Sequence, residues 1–132
     1  MIGAAPAISE PLVVLVENDP AVTHAIAFAF GLEGLAVTSY ASGAEILACE
    51  RPGHAGCLVL DFQLPDMDGL QLLERLRAKG VSAPAILIAT NPKVVMRQRA
   101  LAAGAPIVEM PLLNDGLLDT VRQALEAPRA TH

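Results

Sequence analysis

The chain has 132 residues, which fits one ordinary domain of roughly 100 to 150 residues around a single core and leaves no room for a second folded module. Hydrophobic residues make up 53% and aromatics only 3%, with no Trp, which excludes a disordered segment and implies a core of Leu, Ile, Val and Ala. A net charge of −5 argues against generic nucleic-acid binding, which draws its affinity from Lys and Arg neutralising phosphates.

Residues 1–11 carry no basic residue and no apolar run of signal-peptide length, and no stretch approaches the roughly 20 apolar residues of a membrane helix. The expectation is a cytoplasmic protein without a membrane partner, with a flexible segment at 1–11, a domain over 12–127 and a tail at 128–132. In that setting Cys49 and Cys57 read as small hydrophobes rather than a disulfide.

In chain order, residues 12–16 (Leu-Val-Val-Leu-Val) form an apolar run of strand length, the pattern of a strand covered on both faces. Asp19-Pro20 then sets a cap and a first-turn proline before a helix over Ala21 to Leu32, with Val22, Ile26, Ala29 and Phe30 on one stripe. Leu35 to Tyr40 reads as a weaker strand. Ser42 with Glu45 forms a capping box for a short helix to about Ala48. Cys57 to Asp61 is the third strand, and Asp68 with Gln71 caps a helix carrying Leu72, Leu73 and Leu76. Ala85 to Ala89 is the fourth strand. Asn91-Pro92 predicts the cap of a fourth helix, which runs to Ala103 and stops at Gly104. Pro106 to Val108 is a short fifth strand, followed by a helix beginning near Asn114 with Leu117, Leu118, Val121 and Leu125 on one side and fading at Pro128.

Five strand-like runs alternating with five helices predict an α/β fold, a doubly wound parallel sheet with helices on both faces. In such sheets chemistry collects at the carboxyl ends of the strands, where the strand order reverses. The first strand ends in Glu17-Asn18-Asp19 and the third in Asp61. If these strands are neighbours, Glu17, Asn18 and Asp61 form a pocket of oxygen donors that suits Mg²⁺ better than softer metals. His24, His54 and His132 are isolated and show no metal-ligand spacing. Asp19 and Asp68 are better read as helix caps, Asp66 as a solvated loop carboxylate, and Lys93, Arg97 and Arg99 as a wet helix face to which no role is assigned.

Three segments in order carry a family resemblance over about Leu12 to Ala124: Val-Leu-Val-Glu-Asn-Asp-Pro, Leu-Val-Leu-Asp-Phe-Gln-Leu-Pro-Asp-Met-Asp-Gly, and Ala-Gly-Ala-Pro-Ile-Val-Glu-Met-Pro-Leu. Together they resemble the response-regulator receiver domains of two-component signalling. The resemblance implies a flavodoxin-like sheet of order 2-1-3-4-5. It also implies that Asp61 is the phosphoacceptor, taking a phosphoryl group from a histidine kinase or histidine phosphotransfer protein. Glu17 and Asn18 fall where the family keeps its metal-binding acidic pair, and Gln63 falls where a backbone carbonyl completes the Mg²⁺ shell. Pro65 and Gly69 shape the loop beside the site. Output through a downstream protein partner, and a homodimer contact through helix 4, strand 5 and helix 5, follow from the same resemblance.

The sequence also departs from the family. The usual Thr or Ser of the fourth strand falls on Ala89, and Thr90, one residue later, points to the opposite face unless the backbone bulges. The usual Lys is Met110, the aromatic switch position is Ile107, and Asn18 replaces a common carboxylate, which weakens Mg²⁺ binding. Losing a lysine and a hydroxyl from an oxyanion site costs on the order of 1 to 3 kcal/mol each. Two readings follow: a stand-alone receiver phosphorylated on Asp61, not an enzyme beyond Mg²⁺-dependent self-phosphorylation and slow self-dephosphorylation, or a pseudo-receiver that binds partners without phosphorylation. A small α/β enzyme or flavin-binding domain is disfavoured, because no strand-to-helix turn carries a Gly-rich phosphate loop.

Overall fold

A computed structural model describes residues 12–49, 55–110 and 116–126. Strands and helices alternate along them as β1 (Leu12–Val16), α1 (Pro20–Leu32), β2 (Ala36–Tyr40), α2 (Gly43–Leu47), β3 (Cys57–Asp61), α3 (Gly69–Ala78), β4 (Ala85–Thr90), α4 (Val94–Ala102), β5 (Ile107–Met110) and α5 (Gly116–Glu126). The strands pair in parallel in the order β2-β1-β3-β4-β5. This is the doubly wound sheet that the alternation predicted. The expected terminal segments 1–11 and 128–132, the start of the fifth helix at Asn114, His54 and His132 lie outside the described residues.

The central strands are apolar throughout because each buries both faces. Val14, Val16, Leu58, Leu60, Ala85, Leu87 and Ala89 face one layer, where they meet Ile46 of α2, Leu72, Leu73 and Leu76 of α3, and Ala100 of α4. The alternate residues Val13, Leu15, Cys57, Val59, Ile86 and Ile88 face the other layer, against Ile26 and Phe30 of α1 and Leu117 and Val121 of α5. Of the stripe expected on α1, Ile26 and Phe30 are buried and Val22 packs against them. Ala29 is exposed, which corrects that assignment. The edge strand β2 leaves Thr38 and Ser39 exposed, which explains its weak pattern in the sequence.

The caps follow the sequence with two corrections. Asp19 accepts from the Ala21 N–H at 2.9 Å, and Asp68 and Gln71 form the full reciprocal box at 2.8 and 3.0 Å. Ser42 accepts from the Glu45 N–H at 3.2 Å, but the Glu45 carboxylate reaches back to the Ala41 N–H at 3.1 Å, one residue earlier than a capping box requires. Asp66 instead takes the next two N–H groups of the helix start, those of Gly43 and Ala44, at 3.1 and 2.8 Å. Asp66 is therefore no free loop carboxylate: it ties the β3–α3 loop to the start of α2, and those N–H groups hold its pKa below the usual carboxylate range.

The second correction concerns α4. It starts at Val94, with Lys93 in the cap position, and not at Pro92. Asn91 sits in the left-handed region at φ 51°, a conformation Asn tolerates, so the chain turns there before the helix begins. The helix stops as expected at Gly104, φ 72°.

Candidate acceptor site at the tips of strands 1 and 3

Strand pairing decides the site. β1 and β3 are neighbours with Val16 opposite Leu60, so one step further Glu17 comes beside Asp61. Glu17 is only 8% exposed. Its backbone N–H donates to the Tyr40 carbonyl at 3.0 Å, and its carboxylate accepts from the Asp19 N–H at 2.9 Å. Asp61 is half-buried and accepts from the Gln63 N–H at 3.0 Å.

The two carboxylates lie close enough to act on each other's ionisation. Burial is the main force on both and raises both pKa values. Glu17 is pushed up to about 7, with the Asp19 N–H working against the rise and the charge of Asp61 adding to it. For Asp61 the Gln63 N–H and the neighbouring Glu17 carboxyl offset part of the burial effect.

This arrangement tests whether a divalent cation suits the site. Two half-buried to buried carboxylates side by side favour a compensating positive charge, and among the described residues no cationic side chain acts on either of them. Asn18 is exposed beside them, and among the described residues no hydrogen bond takes up its amide oxygen or the Gln63 carbonyl. These are hard oxygen donors of the kind Mg²⁺ takes. Among the described residues no cluster of three or more His, Cys, Asp or Glu side chains is set to hold a metal, so a cation here would have only Glu17 and Asp61 as charged donors.

The departures seen in the sequence have definite places. β4 pairs with β5 in unbroken register from Leu87 opposite Ile107 to Thr90 opposite Met110, so no bulge rotates Thr90 into the place of Ala89. Ala89 is 4% exposed in the layer of α3 and α4, and Thr90 is exposed at the strand end. Ile107 packs against the core of α3 and α4, and Met110 against that of α1 and α5.

The structure also adds contacts not visible in the sequence. Arg97 pairs with Glu109 at 2.9 Å, and Arg99 pairs with Asp68 at 3.1 Å while lying 5.5 Å from the centre of the Phe62 ring. Those partners are 12 to 37 residues away in the chain, beyond any local pattern. Gly69 is required by close approach: a Cβ there lies 2.7 Å from the Asp61 carbonyl oxygen.

A model of the response regulator receiver domain matches residues 13–109. The chain belongs to this family. The receiver is 32% identical over 126 residues to the C4-dicarboxylate transport transcriptional regulatory protein DctD of Pseudomonas aeruginosa, covering 95% of this chain and 27% of that protein. It is 32% identical over 112 residues to the transcriptional regulatory protein FixJ of Azorhizobium caulinodans, covering 84% of this chain and 53% of that one. The receiver thus spans between a quarter and about half of these two relatives. Among solved structures it superposes on the FixJ N-terminal domain with TM-score 0.81 at 29% identity, covering 94% and 100% of the two chains. It superposes on a receiver protein from Burkholderia phymatum with TM-score 0.75 at 32% identity, covering 92% and 100%.

Phosphorylation on an aspartate, Mg²⁺ at the phosphorylation site, and contacts with histidine kinases and downstream effectors are general to such domains, which are signalling domains and not enzymes in the ordinary sense. Among the described residues, no helix is long and apolar enough to cross a membrane.

Proposed function

We propose that this receiver accepts a phosphoryl group on Asp61 from a phosphohistidine of a histidine kinase or phosphotransfer protein, and signals through protein contacts. The observation that carries the reading is the adjacency of Asp61 and Glu17 at the tips of β3 and β1, with no cationic side chain among the described residues acting on either. An Asp61 oxygen forms the new bond to phosphorus as the bond to the histidine nitrogen breaks, and that nitrogen leaves with the electron pair. The Gln63 N–H orients the attacking carboxylate through its other oxygen. Glu17, Asn18, Asp61 and the Gln63 carbonyl would hold Mg²⁺, which would supply positive charge to the transferring phosphoryl group. Glu17 must release its proton before it serves as a ligand. The reading keeps the cytoplasmic address expected from the sequence.

The output face is read as α4, β5 and α5, for a downstream partner or a second copy. Val94, Val95 and Leu101 of α4 are exposed at 69%, 61% and 82%, which supports it.

A second reading, a receiver that binds partners without phosphorylation, is favoured by Ala89, Ile107 and Met110. Ala89 and Met110 leave apolar side chains where a phosphoryl oxygen would seek a hydroxyl and a cation, and Ile107 stands where the switch would use an aromatic ring. Titration with Mg²⁺ and beryllofluoride separates the two readings. Shifts of the Asp61–Gln63 amides, abolished in Asp61→Ala, support phosphorylation. No shift at saturating Mg²⁺, with partner binding intact in Asp61→Ala, supports the second reading.

A further inference from the structure

The loop that follows the acceptor is tightly closed. Phe62 accepts from the Gly69 N–H at 2.9 Å, and Leu64 donates to the Met67 carbonyl at 3.2 Å, so Gln63 and Asp68 face each other across a short bridge. Asp68 Oδ1 caps α3. Its second oxygen, Oδ2, accepts from Arg99 Nη2 of α4 at 3.1 Å. The same guanidinium lies 5.5 Å from the centre of the ring of Phe62, which is 3% exposed and directly follows Asp61. Arg99 therefore grips both ends of the loop 62–68. Among the described residues no other α4 side chain makes a polar contact with residues 61–69.

Each contact alone is weak, being partly exposed. Together they join two elements that move independently only if both contacts break. The positions through which a hydroxyl and an aromatic ring would otherwise sense the acceptor are Ala89 and Ile107, which have neither group.

We propose that Arg99 is a positioning residue for Asp61 and the route by which the state of Asp61 reaches α4. The proposal rests on the phosphorylation reading given above. A phosphoryl group on Asp61 alters the acceptor now bound by the Gln63 N–H, and the loop containing that N–H is the one Arg99 clasps. A shift of the loop changes both Arg99 contacts, and with them the seating of α4.

The test uses the full chain, ¹⁵N-labelled, with Mg²⁺ and beryllofluoride, as wild type, Arg99→Ala, Arg99→Lys and Asp68→Asn. In the wild type the amides of both 61–69 and 94–101 shift. Arg99→Ala keeps the shifts at Asp61–Gln63, loses those of α4, and binds beryllofluoride about fivefold more weakly, the low end of coupling between sites. Arg99→Lys, which keeps the charge and loses the planar fork, restores part of the α4 response. An α4 response in Arg99→Ala equal to that of the wild type overturns the proposal.

A wild type with no shift at Asp61–Gln63 defeats the phosphorylation reading instead. The clasp is then decided by hydrogen exchange in the unliganded protein. Faster exchange of the Leu64 and Gly69 amides in Arg99→Ala, matched by Asp68→Asn and not increased further in the double variant, upholds it. Unchanged exchange there overturns it.

Discussion

Glu17 and Asp61 stand side by side at the ends of adjacent parallel strands, where burial and the charge of Asp61 raise the pKa of Glu17. The pair is electrostatically unfavourable when both groups are ionised, and that cost links pH, metal binding and stability.

The first prediction is a pH dependence of stability. Burial raises Glu17 from 4.5 to about 7, so between these values the folded chain binds more protons than the unfolded one. The stability contributed by the protonated form is complete below 4.5 and is lost as pH rises through about 7. Urea midpoints measured without Mg²⁺ should fall over this window by more in the wild type than in Glu17→Gln. Equal slopes would show that Glu17 titrates normally.

Metal binding should show the complementary trend. A cation that takes Glu17 as a ligand displaces its proton, so apparent Mg²⁺ affinity should weaken by up to about tenfold per pH unit below about 7 and level off above it. Titration calorimetry in buffers of different ionisation enthalpy measures the released proton directly. Affinity independent of pH would remove Glu17 from the donor set.

Asp61→Asn should trade function for stability. The amide oxygen still accepts from the Gln63 N–H, while the negative charge facing Glu17 is gone. Phosphorylation and Mg²⁺ binding should be lost, and the metal-free protein at neutral pH should gain about 1 kcal/mol from relief of like-charge contact. Chemical denaturation of both proteins in chelator checks the sign.

Met110→Lys should return a cation to the edge of the pocket. Met110 is half-buried at the end of β5 beside Thr90, so a lysine there keeps its stem in contact with the apolar layer. Beryllofluoride should bind roughly tenfold more tightly in the presence of Mg²⁺, ~1.4 kcal/mol, within the range of one charge-assisted hydrogen bond. An unchanged affinity would mean that position 110 does not face the acceptor.

Gly69→Ala should be among the more damaging single-methyl changes. Its Cβ meets the Asp61 carbonyl oxygen at 2.7 Å and Phe62 Cα at 3.1 Å, both backbone atoms that cannot swing aside. A loss of about 1 to 3 kcal/mol is expected, together with displacement of the acceptor loop. Thermal unfolding gives the first effect, and the amide shifts of Asp61 to Gln63 give the second.

Much of this molecule was legible before any coordinates. Unbroken apolar runs such as Leu12–Val16 and Cys57–Asp61, with caps at Asp19 and Asp68, are local signals, because burial on both faces and free N–H groups at a helix start each demand particular residue types within a few positions. The candidate acceptor was legible as an acid at the end of such a run.

Partnerships across long separations were not legible. That Glu17 lies beside Asp61, that Asp66 caps α2 from 22 and 23 residues away, and that Arg99 joins Asp68 to Phe62 all depend on which strands and helices become neighbours. Carboxylates and guanidiniums carry no periodicity that names their partner. The shift of α4 to Val94 has the same origin, since an Asn able to adopt positive φ is equally able to cap a helix or to turn before one, and only packing selects between them.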